Sequence, residues 1–182
     1  MCSYKIILLI DMKKPEITTL CFQEQVMKDD IRCEVCGTID ELCSFVGLAK
    51  SLIKKKKLKN ILENIQRDLF KIGSEVAIKK KWFKRLRERI KKNSLEYIQI
   101  NIEEFKNKIS LSKKGFIIPG GNLSSCIVDV ARAVTRRLER RTVTLKRRKM
   151  LENKYILPYL NGLSTLLYFI ARYLEGTHRF KD

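Results

Sequence analysis

The chain has 182 residues, 45% of them apolar, with only 8 glycines and 3 prolines, a composition that excludes a disordered polymer and favours one folded domain of long elements. Its 39 Lys and Arg against 20 Asp and Glu leave a formal charge of +19. So large an excess calls for an acidic partner, whether nucleic acid, nucleotide or anionic membrane surface.

The apolar start, Ile6 to Ile10, is too short to cross a membrane and lacks a basic flank and a small-residue cleavage site. A cytoplasmic protein with mostly reduced thiols is expected. Cys33 and Cys36 form a lone pair with no second pair at zinc-finger spacing, and the single histidine is His178. Small core residues are the simpler reading of these cysteines, with metal or redox work the alternative.

Residues 1–27 read as an irregular arm: Tyr4 to Ile10 suits a short strand, and Pro15 interrupts any helix. Residues 28–176 read as a helical bundle. Asp29 or Asp30 can cap a first helix with Ile31, Val35, Ile39, Leu42, Phe45, Val46 and Leu48 as its apolar positions, ending in the block Lys54 to Lys57. A second helix is predicted from Leu58 to Arg89, with Ile61, Leu62, Ile65, Leu69, Phe70 and Ile72 buried. Its distal part, Lys79 to Lys92, is dense in cations around Trp82 and Phe83. It is either a solvated end or a surface for nucleic acid or membrane.

Leu95 to Ile109 reads as a third helix anchored by Ile102 and Phe105, and the turn-rich stretch Gly115 to Gly121 follows. Asn122 or Ser124 can then cap a helix from Leu123 to Leu145. At ~100° per residue, Leu123, Ile127, Val130, Val134 and Leu138 share one side of it. Arg132, Arg136, Glu139 and Arg140 fall roughly opposite. Such a face is either solvated or built to meet anions, and guanidinium forks suit polyphosphate. The last helix, about Asn153 to Glu175, buries Ile156, Leu160, Leu163, Leu167, Ile170 and Leu174 and puts Asn161 and Ser164 on one side. The expected fold is all-α: a single domain forming an antiparallel bundle of five helices with an irregular N-terminal arm.

Five segments, in order and with matching gaps, carry a resemblance. They are Gly37-Thr-Ile-Asp-Glu-Leu42, Ile65-Gln-Arg-Asp-Leu-Phe70 followed by Gly73, Phe116-Ile-Ile-Pro-Gly-Gly121, the stretch Arg132 to Arg141, and Tyr159-Leu-Asn-Gly-Leu-Ser164. Together they resemble the PduO-type ATP:cob(I)alamin adenosyltransferases over about residues 18 to 175. The resemblance implies a homotrimer of five-helix bundles with active sites between subunits. It implies attack of reduced cobalamin on the 5′ carbon of ATP, with loss of triphosphate and assistance from Mg²⁺. A B12-dependent enzyme that receives the product is a further implied partner.

Carried over residue by residue, Arg136 and Glu139 contact ATP, Arg136 at the leaving triphosphate, and Asn161 holds the nucleotide. Asp40 pairs with Arg132 across the subunit boundary, and Phe116 lies on the corrinoid side. Thr18, Thr19 and Lys28 match nucleotide-contacting positions of the arm. Cob(I)alamin is itself the nucleophile, so no catalytic Ser, Cys or His is needed; charge stabilisation and positioning are.

The arm departs from the family pattern. Ile10 to Thr18 replaces a glycine- and threonine-rich phosphate segment, Phe22 and Gln23 replace a Gly-Gly pair, and Gln25 replaces a basic residue. Cys36, Cys43 and Thr165 stand for a usual Tyr, Asn and Asp. An adenosyltransferase is the first reading and a weakened or inactive paralogue the second. A nucleic-acid-binding bundle using Lys79 to Lys92 is the third.

Overall fold

A computed structural model describes residues 14–109 and 117–176, with Gln23 by its backbone alone. Five helices carry the fold: α1 (Ile31–Leu52), α2 (Lys56–Val76), α3 (Lys92–Asn107), α4 (Leu123–Arg147) and α5 (Ile156–Glu175). They pack as neighbours in the order α2, α1, α4, α5, α3. Side-chain bonds from α2 to α3 complete the circuit, Lys57 with Glu104 at 2.6 Å and Asn64 with the Tyr97 hydroxyl at 3.0 Å. The core runs down the centre through Leu42, Leu62, Leu69, Leu138, Leu160 and Leu167, all fully buried. Among the described residues no helix is long and apolar enough to cross a membrane.

Part of the N-terminal arm is more regular than its sequence indicates. Two strands, β1 (Ile17–Leu20) and β2 (Glu24–Met27), form an antiparallel hairpin in which Thr18 faces Val26 and Thr19 faces Gln25. Four-residue strands leave too short an alternation to read. The strand expected at Tyr4 to Ile10 lies outside the described residues. Asp30, not Asp29, caps α1, accepting from the Arg32 N–H at 2.8 Å.

One helix boundary and two burial expectations are corrected. The second helix stops at Val76 rather than Arg89, and Lys80–Arg85 forms a 3-10 segment instead. Buried Glu75 draws the chain back, accepting from the Ile90 N–H at 2.8 Å and from Asn153 Nδ2 at 2.7 Å. On α4 the buried arc is Val128, Ala131, Val134, Thr135, Leu138, Thr142 and Leu145, while Leu123 and Val130 are 64% and 39% exposed. Because α4 packs on α1 and α5 together, the core faces the arc between them. Thr135 and Thr142 tolerate burial by donating to the carbonyls of Ala131 and Leu138, each at 2.8 Å. Leu48 and Phe70 likewise face outward, whereas Ile102 and Phe105 are buried as expected.

Candidate active site

Four of the residues the sequence nominates, Arg132, Arg136, Glu139 and Asn161, lie on α4 and α5. Asn122 caps α4, accepting from the Ser125 N–H at 2.9 Å while its own N–H donates to Ser125 Oγ at 3.2 Å. Asn122 Nδ2 also donates to the Leu174 carbonyl at 2.7 Å, which ties the start of α4 to the end of α5. The turn before it needs glycine. Gly120 has φ +133°, and the Glu175 carboxylate occupies the space where a Cβ on Gly121 would sit.

Above this knot, buried Asp129 pairs with Arg172, which is only 2% exposed, and accepts from Arg132 Nε at 3.1 Å. These contacts fix which faces of the two helices meet. Seven residues along α4, Arg136 returns to within about 20° of the Asp129 face. Eleven residues back along α5, Asn161 returns to within about 20° of the Arg172 face and to the level of Glu139 and Arg140. Arg136 and Asn161 are exposed and Glu139 is half-buried. The Asp129–Arg172 ion pair lies at one end of the α4/α5 seam, and helical spacing places Arg136, Glu139 and Asn161 along its outer side towards the other end. Ser164 is buried, its hydroxyl donating to the Asn161 carbonyl at 2.9 Å.

The ten-residue arginine stretch divides by face. Arg137 pairs with Glu41, and Arg141 with Glu34 and Thr38, so these two fasten α4 to α1. Arg132 and Arg136 remain on the α5 side. Asp40 sits exposed on α1, facing away from α4, and desolvation raises its carboxyl above the ordinary value. Within one chain Asp40 and Arg132 are not brought together.

Thr18 is half-buried and Thr19 exposed on β1, and Lys28 is exposed just after β2. Phe116 lies outside the described residues. Phe22, standing at a usual glycine position, keeps a glycine-like backbone with φ 58°. Glu24 accepts from Arg32 Nη2 and Nη1 at 2.9 and 3.1 Å, and Lys79 reaches it at 3.0 Å. Arg32 holds the Glu24 and Asp30 carboxyls below their ordinary values.

Among the described residues no three His, Cys, Asp or Glu side chains gather to hold a metal ion. Cys36 and Cys43 pack against the core, and burial pushes the Cys36 thiol up to about 12, which leaves little reactive thiolate. Asp129 and Arg172 are the residues that sequence reasoning missed. Asp129, three before Arg132, was the available signal.

A family model described as cobalamin adenosyltransferase matches residues 14–174. A corrinoid adenosyltransferase of Citrobacter freundii is 36% identical over 160 residues, covering 88% of this chain and 90% of the relative. One of Bacillus subtilis (strain 168) is 35% identical over 161 residues, covering 85% and 80%. A variant PduO-type ATP:corrinoid adenosyltransferase from Lactobacillus reuteri, complexed with cobalamin and ATP, superposes with a TM-score of 0.87 at 29% identity. That superposition covers 96% of this chain and 98% of the other. The five-helix bundle and these similarities together show that the chain belongs to the cobalamin adenosyltransferase family.

Proposed function

We propose that this protein transfers the 5′-deoxyadenosyl group of ATP to a reduced corrinoid, at a site completed by a neighbouring copy in a homotrimer. The observation that supports the reading is that Arg136 and Asn161 are exposed and Glu139 half-buried on the α4/α5 pair, at levels along the two helices that helical spacing makes comparable. A cobalt–carbon bond forms to C5′, the C5′–oxygen bond breaks, and its electron pair leaves on triphosphate. Arg136 meets that charge, held on a helix whose position is set before the reaction. Asn161 and Glu139 orient the nucleotide, Thr18, Thr19 and Lys28 contact it from the arm, and Phe116 lies against the corrinoid. Asp129 and Arg172 keep Arg132 directed for a contact with Asp40 of the next copy.

Magnesium belongs to the same proposal. Such ions are commonly held by one or two carboxylates plus substrate phosphates, and Glu139 is the carboxylate on the Arg136 face. The trimer is supported by exposed apolar residues on the outer surface of α1 and α4. The antiparallel register set by Glu41 with Arg137 puts Leu48 level with Val130, and Leu123 extends the strip. A cytoplasmic location and delivery of product to a B12-dependent enzyme complete the reading.

The test is an anaerobic assay with chemically reduced cobalamin and Mg-ATP, following loss of the cob(I)alamin absorbance. Appearance of adenosylcobalamin is expected. Binding of ATP or cobalamin without transfer would instead indicate an inactive paralogue.

A further inference from the structure

The cation-rich segment 79–91 has no place in the reaction described above, and its contacts point to one. Trp82 stacks on Phe22 with ring centroids 5.9 Å apart and planes 20° from parallel. The Arg85 guanidinium lies 4.0 Å from the Trp82 centroid and 5.9 Å from that of Phe22. Beside them Lys79 reaches Glu24 at 3.0 Å, and Glu24 is gripped from the other side by Arg32. Phe22 forms the tip of the hairpin at φ 58°, a conformation that costs a bulky residue free energy, so the stack must offset that cost to hold the tip. Leu20, Cys21, Glu24 and Val26 of the hairpin are half-buried, whereas Phe22 at the tip and Met27 are exposed apolar residues.

We infer that Phe22, Trp82 and Arg85 form a clasp that seats the hairpin so that Thr18 and Thr19 are positioned for ATP. The inference rests on the reading that those two residues contact the nucleotide. Trp82 and Arg85 are positioning residues, separated in the chain from the arginines of α4 by α3. Trp82 is engaged by Phe22 and Arg85, and Phe83, the segment's other aromatic, is half-buried with the Arg89 guanidinium 4.9 Å from its centroid, so both rings a base-stacking surface would need are engaged within this chain.

The experiment is steady-state kinetics and ATP calorimetry on wild type, Trp82→Ala, Trp82→Phe, Phe22→Ala and the Phe22→Ala/Trp82→Ala double variant. Trp82→Ala should raise KM for ATP roughly tenfold, the scale of one lost aromatic stack with its cation–π contact. KM for the corrinoid and kcat should stay within about twofold, since α4 and α5 are untouched. Trp82→Phe should restore most of the loss, and the double variant should be no worse than Trp82→Ala alone. Unchanged KM for ATP in Trp82→Ala, or equal losses in every parameter without rescue by Phe, would overturn the clasp and leave the adenosyltransferase reading standing. Should wild type bind ATP but transfer nothing, the proposed function fails and the calorimetric affinity ratio alone decides the clasp. Wild type that binds no ATP would overturn both.

Discussion

Two arginines four residues apart, Arg132 and Arg136, owe their roles to what their neighbours leave free. Arg137 and Arg141 are spent on Glu41, Glu34 and Thr38, whereas Arg136 stands exposed on the seam. Arg136→Ala should therefore lower transfer at least about 100-fold, as loss of a preorganised charge-stabilising donor does, with melting temperature unchanged. Turnover near wild type would remove Arg136 from the triphosphate. Acid should act elsewhere, on the carboxyls that Arg32 holds below their ordinary values. With folded values depressed, the native state binds fewer protons than the unfolded chain. The clamp's stabilisation is then present above the ordinary carboxylate range and lost as pH falls through it. Trp82 is the chain's single tryptophan, so its emission reports the hairpin directly. Its acid transition should flatten in Glu24→Gln.

At the scale of elements, α4 matters because its position sets every seam residue at once. Its start is held by the reciprocal Asn122–Ser125 cap and by the Asn122 bond to Leu174. Asn122→Ala should cost about 1 kcal/mol for the cap in denaturant unfolding, with a further loss for the unmade bond to α5. Asn122→Asp should recover the cap but not the donor, and equal stability of all three proteins would refute the linkage. Apart from Leu48 and Phe70, the periodicity of α1, α2 and α5 was readable from sequence because each meets the core on one stripe. That of α4 was misread by part of a turn, since threonines that satisfy themselves within the helix can be buried as readily as valine.

For the whole molecule, Arg132 pairs with Asp129 of its own helix while Asp40 stands exposed on α1, so the two do not pair within a single chain. If copies complete one another's sites, Asp40→Asn should reduce activity and weaken the assembly, read by kinetics and by sedimentation. Combining Asp40→Arg with Arg132→Asp should recover part of both, because the exchanged charges attract across the boundary. A monomer with full activity would exclude the arrangement. The apolar strip of Leu48, Leu123 and Val130 is the surface such a trimer would cover.

Helix number and order were determined by sequence alone, through apolar periodicity and capping residues, while the ordered segments of family resemblance nominated Arg136, Glu139 and Asn161 as candidates. Only tertiary structure decided which arginines are structural and which face the seam. A helical wheel gives angles, but which angle meets a neighbour depends on packing against two helices at once. The same holds for segment 79–91: its charge was visible, but the end of α2 and the stack of Trp82 on Phe22 depend on residues more than fifty positions apart, and no local pattern encodes that.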